Sequence, residues 1–126
     1  MPRFASAFLP LLLLAGCASA GAGSGHTVAA GTPVTLAKGE TITLPDASTL
    51  TYVDVNSDSR CPPNVQCIQA GTAIVAFRHG AGTASHDVVL DSGKAPSADM
   101  DATWRLTLIT LDFASPPNAT VRVDRR

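Results

Sequence analysis

Beyond Thr32 the apolar side chains return at every second position, not at the 3.6-residue spacing of a helix. Val34 and Leu36 flank Thr35, and Ile42 and Leu44 alternate with Thr41 and Thr43. That rhythm turns alternate side chains to opposite faces of a strand, so one face can be buried while the threonines meet water. Lys38-Gly39 and Pro45-Asp46 separate the runs as turns. Thr49 to Val55, rich in Thr, Tyr and Val, reads as a third strand. No stretch of residues 33–126 shows a helical apolar face, and Asp99 to Ala102 has room for one helical turn at most.

Thr72 to Leu90 predicts a hairpin together with its register. If Phe77 faces Val88, then Val75 meets Leu90 and His79 meets His86 on one face. On the other face Arg78 lies opposite Asp87. A slip of two residues would set Phe77 against His86 and leave Arg78 opposite Ser85. Each agreeing cross-strand pair is worth roughly 0.2–1 kcal/mol, so the first register is preferred. Gly80 to Ala84 makes the connection, with two glycines available for positive φ.

Trp104 to Phe113 is a longer strand whose rhythm breaks. Trp104, Leu106 and Leu108 share one face, while Ile109, Leu111 and Phe113 share the other. A bulge near Leu108–Ile109 would return the second half to the core. Pro116-Pro117-Asn118 turns the chain, and Val121 and Val123 close the sheet. Short strands at this spacing predict an all-β domain. The choice lies between a small antiparallel sandwich and a partly open barrel of six to seven strands.

Composition narrows the function. The chain of 126 residues has a formal net charge of −1 and 5% aromatic residues. With no basic stripe, it is not a nucleic-acid binder.

The first residues read as an export signal. Met1-Pro2-Arg3 carries a positive charge, and Phe8-Leu9-Pro10-Leu11-Leu12-Leu13-Leu14 is an apolar run too short to span a bilayer. The exit, Leu14-Ala15-Gly16-Cys17, resembles the bacterial lipobox. The resemblance implies a signal peptide over residues 1–16 and a diacylglyceryl group on the Cys17 thiol. It also implies acylation of the new amino terminus. Each buried methylene contributes about 0.8 kcal/mol, and two acyl chains already anchor a protein stably. Ala18, where an Asp usually retains such proteins at the inner membrane, implies the outer membrane and its periplasmic face. Residues 17–32 then form the lipidated cysteine and a Gly/Ala/Ser-rich flexible tether spanning on the order of 20 Å. Residues 33–126 form the β domain.

Of the three cysteines, lipidation of Cys17 leaves Cys61 and Cys67 for each other. Export places them in an oxidising compartment, where a disulfide is the default. A closed loop of that size contributes about 2–2.5 kcal/mol by the chain-entropy relation. The spacing is wider than the usual two-residue gap of a redox dithiol, and no Lys, Arg or His lies inside the loop. A zinc clip would need His79 and His86 as its further ligands.

Asp58-Ser59-Arg60-Cys61-Pro62, then Cys67, then Ala70-Gly71 and Ala73, resemble a motif of small bacterial lipoproteins and secreted proteins. The family pattern runs Asp-Ser-Arg-Cys-Pro, four variable residues, Cys, and soon Trp-Ala-Gly. Gln69 stands here in place of the tryptophan, so that ring's role is lost or taken over. The family is largely uncharacterised and brings no activity to carry across. From the residues themselves, Asp58 is expected to accept backbone N–H bonds in the turn, and Arg60 to donate to Asp58 or to loop carbonyls. Pro62 and Pro63 restrict the loop. The result is either a stapled corner joining two strands or a rigid exposed loop that inserts into a partner.

No enzyme is legible. Ser85-His86-Asp87 are consecutive, so on a strand the serine and aspartate point away from the histidine. Gly80-Ala81-Gly82 precedes a strand rather than the helix of a phosphate loop, and the carboxylates of Asp99 and Asp101 are expected to be solvated in a polar loop. The expectation is a non-enzymatic accessory or binding module of the envelope, without cofactor. It is held to the outer membrane through Cys17, with an envelope protein as its candidate partner. Two alternatives stand beside it. One is a periplasmic transition-metal binder using His79 and His86, with His26 as a candidate third ligand. The other is an envelope protease inhibitor acting through the Cys61–Cys67 loop.

Overall fold

The computed structural model describes residues 24–126. Nine strands run in chain order: β1 Ser24–Thr27, β2 Val34–Leu36, β3 Thr41–Thr43, β4 Thr49–Asp58, β5 Ala73–Ala81, β6 Ala84–Asp91, β7 Ser97–Asp99, β8 Trp104–Leu111 and β9 Ala119–Arg125. They form two separate sheets, of order β1-β3-β4-β5-β6 and β2-β9-β8-β7. The domain is therefore a small β-sandwich, not a closed barrel.

Alternation builds the core. Leu50 and Tyr52 of β4, Val75, Phe77 and His79 of β5, and Val88 and Leu90 of β6 turn inward from the first sheet. Trp104, Leu106 and Leu108 of β8 and Val121 and Val123 of β9 meet them from the second. The hairpin has the expected register, with Phe77 opposite Val88, His79 opposite His86 and Arg78 opposite Asp87. Arg78 Nε donates to Asp87 at 3.0 Å on the solvent face. The turn is tighter than expected. Gly80 lies within β5, and only Gly82, with φ of 61°, takes the left-handed backbone of a two-residue turn.

The bulge falls where the broken rhythm placed it. The register of β8 against β9 shifts between Leu108 and Thr110, and Leu111 returns to the core while Ile109 stays exposed. Phe113 departs from its expected place. The strand ends at Leu111, so nothing carries the Phe113 ring inward, and it stays 48% exposed.

Two strands were not expected, and both lack an apolar alternation. Asp99 belongs to β7, and Ser97–Asp99 pairs with Arg105–Thr107 through backbone bonds that need no apolar side chain. The second correction concerns the tether. The leader and Cys17 lie outside the described residues, but the domain begins before residue 33. Ser24–Thr27 pairs with β3, in parallel rather than antiparallel sense. The Val28 N–H donates to the Thr43 carbonyl at 2.9 Å, and the Gly31 N–H donates to Val123 at 2.8 Å. Val28 is buried. The open edge of β3 offers unpaired backbone groups to any neighbouring strand, whatever its side chains.

Polar ties bind the sheets at both ends. Near the hairpin tip, the Trp104 indole N–H donates to Asp46 at 2.8 Å. Asp46 also accepts from the Ser48 hydroxyl and the Ser48 N–H. The Ser48 hydroxyl is the main cause that lowers the Asp46 carboxyl from 3.8 to about 2; the indole N–H adds to it, and burial opposes it. Because the folded value is the lower one, this stabilisation is complete above pH 4. It is lost as the pH falls through about 2. Asp46→Asn removes the titration. The stability gap between native chain and variant is expected to shrink by on the order of 1 kcal/mol between pH 5 and pH 2, the solvent-screened value for an exposed carboxylate. Urea melts across that range measure it, and a constant gap would refute the assignment.

Candidate functional site

The opposite end of the sandwich carries the motif residues. β4 and β5 pair as far as Asp58 and Ala73, and the chain between them forms the stapled corner. Cys61 and Cys67 are joined as a disulfide. Inside it, the Val65 N–H donates to the Pro62 carbonyl at 3.3 Å, and Asn64 has φ of 65°. This is the signature of a type II turn, with Pro63 second and a left-handed Asn third. The consecutive prolines and the asparagine thus fold the loop locally. The cis peptide among the described residues lies elsewhere, at Ser115-Pro116.

Arg60 is the hinge-pin of the corner. Its Nε and a terminal nitrogen donate to the two oxygens of Asp58, at 2.9 and 2.7 Å. Its guanidinium also donates to the carbonyls of Leu111 and of Asp112, the latter at 2.9 Å. The first two bonds stay within one sheet, whereas the last two cross to the end of β8. The guanidinium lies 4.1 Å over the Phe113 ring, and the side chain is only 12% exposed. Asp58 also accepts the Arg60 N–H at 3.1 Å, and hydrogen bonding from Arg60 lowers its carboxyl below the ordinary range. Asp112 accepts from the N–H groups of Ala114 and Asn118 and from the Asn118 side chain. These bonds shape the β8–β9 loop and lower the Asp112 carboxyl in turn. The Tyr52 hydroxyl adds a further tie by donating to the Pro117 carbonyl at 2.9 Å.

Gly71 closes the base of the loop by close approach. The Ser59 N–H and hydroxyl both donate to the Thr72 carbonyl, at 2.9 and 3.0 Å. A β-carbon on Gly71 would stand 1.7 Å from the Ser59 carbonyl oxygen. Asp58, Arg60 and Gly71 are therefore frame, and what the frame presents is the loop. Residues 62–70 are all exposed, Val65 by 56% and Ile68 by 103%. Sequence does not single out Ile68, and it reads Phe113 as a core residue rather than a surface one. The available signal was an aliphatic side chain in an uncharged turn-forming run, and an aromatic just past a capping aspartate.

The histidines sit at the other end. His79 is 1% exposed, whereas His86 is exposed beside it, with ring centroids 5.4 Å apart. The Asp101 carboxylate lies 3.7 Å from His79 Nε2, which has no hydrogen-bond partner. His26 is exposed on β1. Among the described residues no group of three or more His, Cys, Asp or Glu stands where it could hold a metal. Ser85 and Asp87 flank His86 on one strand, so these three do not form a nucleophile–base–orienter arrangement.

Fold and corner together define a class: a two-sheet all-β module that displays a short disulfide-closed loop. No protein-family model, curated protein or solved structure matches the chain.

Proposed function

We propose that this is a lipid-anchored, non-enzymatic module of the bacterial envelope, held at the periplasmic face of the outer membrane through Cys17, whose working surface is the Cys61–Cys67 loop. The observation that carries the reading is the division of labour at the corner. Every charged motif residue is consumed in holding the frame, while the loop side chains face solvent. A loop held in one conformation loses little entropy when it docks. The lipobox-like Leu14-Ala15-Gly16-Cys17 supports the anchor, and the disulfide is in keeping with an oxidising compartment. Metal binding through His79 and His86 is the weaker reading, because two imidazoles on adjacent strands leave a coordination sphere half empty.

Intact mass of the mature chain from membranes tests the anchor. The expected product begins at Cys17, carries acyl mass and gains two hydrogens on reduction. Cys17→Ser should leave an unacylated chain. A water-soluble native product without acyl mass would reject the reading.

A further inference from the structure

Three of the five large apolar side chains that the described residues expose lie at one corner: Val65, Ile68 and Phe113. The other two, Val89 and Ile109, stand on separate strands of different sheets. From Cys61 to Ala70 the loop contains no charged residue. The charges that precede the loop, Asp58 and Arg60, pair with each other at 2.7 Å. The loop itself can enter a headgroup layer without stripping water from an ion, while beside Phe113 the Asp112 carboxylate is already held by the Ala114 and Asn118 N–H groups and the Asn118 side chain.

The topology says which way the anchor leads. Ser24 pairs with Thr41, Thr41 with Thr51, and Thr51 with Arg78, so all four lie at one level of the sheet. β1 runs parallel to β3 and antiparallel to β4, so Ser24 is the end of β1 that faces the Asp58 end of β4. The loop base lies five steps along β5 from Arg78 to Ala73, about 17 Å. Seven residue steps separate Cys17 from Ser24, and at full stretch they reach about 24 Å. A lipid on Cys17 can therefore bring the bilayer surface to the loop base. The tether is long enough for the Gly82 tip as well, and it is the direction of β1, whose Ser24 end faces the loop, that favours the loop side.

We infer that the Cys61–Cys67 loop, with Val65 inside it, Ile68 just beyond Cys67 and Phe113 beside it, docks into the interfacial layer of the same membrane that holds Cys17. The domain then stands on two feet, one covalent and one apolar, with the Gly82 hairpin facing away. This rests on the lipid-anchored reading.

The test uses the acylated full-length mature chain in vesicles of phosphatidylethanolamine and phosphatidylglycerol with brominated acyl chains. Trp104 is fully buried and supplies a constant background. Ile68→Trp is expected to lose about half or more of its added emission to bromine, as a ring at the headgroup–acyl boundary should. Phe113→Trp should follow it, and Thr83→Trp at the far tip should keep its emission. Acylated chains that float with the vesicles but show equal quenching at the three positions overturn the docking and leave the anchor standing. A chain that lacks acyl mass and fails to float overturns both. A photo-crosslinker at position 68 that captures a protein rather than lipid in intact cells overturns membrane docking in favour of a protein partner.

Discussion

Trp104→Ala is expected to cost the domain about 4 kcal/mol, the range for emptying a large aromatic from a packed core. The indole is fully buried between the sheets and donates across them to Asp46. Truncation leaves a cavity and also removes the tie at the hairpin end. Domains of this size are stable by roughly 5–15 kcal/mol, so the variant should stay marginally folded and melt at a much lower urea concentration. Trp104→Phe separates the two contributions. It keeps most of the apolar packing while losing the N–H, so its smaller loss reports the tie to Asp46. A truncation cost below about 1.5 kcal/mol would mean that the ring does not fill the space between the sheets.

Gly71→Ala should be nearly as damaging, at about 3 kcal/mol, the upper end of overpacking costs. Its mechanism differs, because nothing is removed. The added carbon meets the Ser59 backbone, which cannot rotate away as a side-chain tip would. The loop base must open, and the paired Ser59–Thr72 hydrogen bonds go with it. Gly39→Ala is the matched comparison. Gly39 has φ of 85° and open space where a β-carbon would lie, so only conformational strain of about 1 kcal/mol is expected there. Equal losses for the two variants, measured by urea unfolding, would show that the Gly71 contact yields without resistance.

These two positions show how unevenly the structure was legible. Trp104 reads as core from its place in an alternating run, yet its partner Asp46 lies far off in a turn of the other sheet. Gly71 reads as part of a motif, yet its reason is a contact with a carbonyl twelve residues earlier. Arg60 shows the same division. Its pairing with Asp58 follows from closeness in the chain, while its bonds to the Leu111 and Asp112 carbonyls depend on where β8 ends.

Sequence alone determined the strand class, the register of the β5–β6 hairpin, the bulge in β8 and the pairing of Cys61 with Cys67. The first three depend on neighbours in the chain or directly across a short turn, where period-two alternation and charge pairs leave one consistent answer. The cysteine pairing followed from there being two left once Cys17 is given to the lipid. Only the tertiary structure decided that the sheets stay open as a sandwich and that Ser24–Thr27 and Ser97–Asp99 join them. It also decided that Phe113 lies under a guanidinium instead of in the core. Alternation tells a side chain which face to take, but not which distant segment will cover it. Backbone pairing at an open edge leaves no mark on side-chain pattern at all.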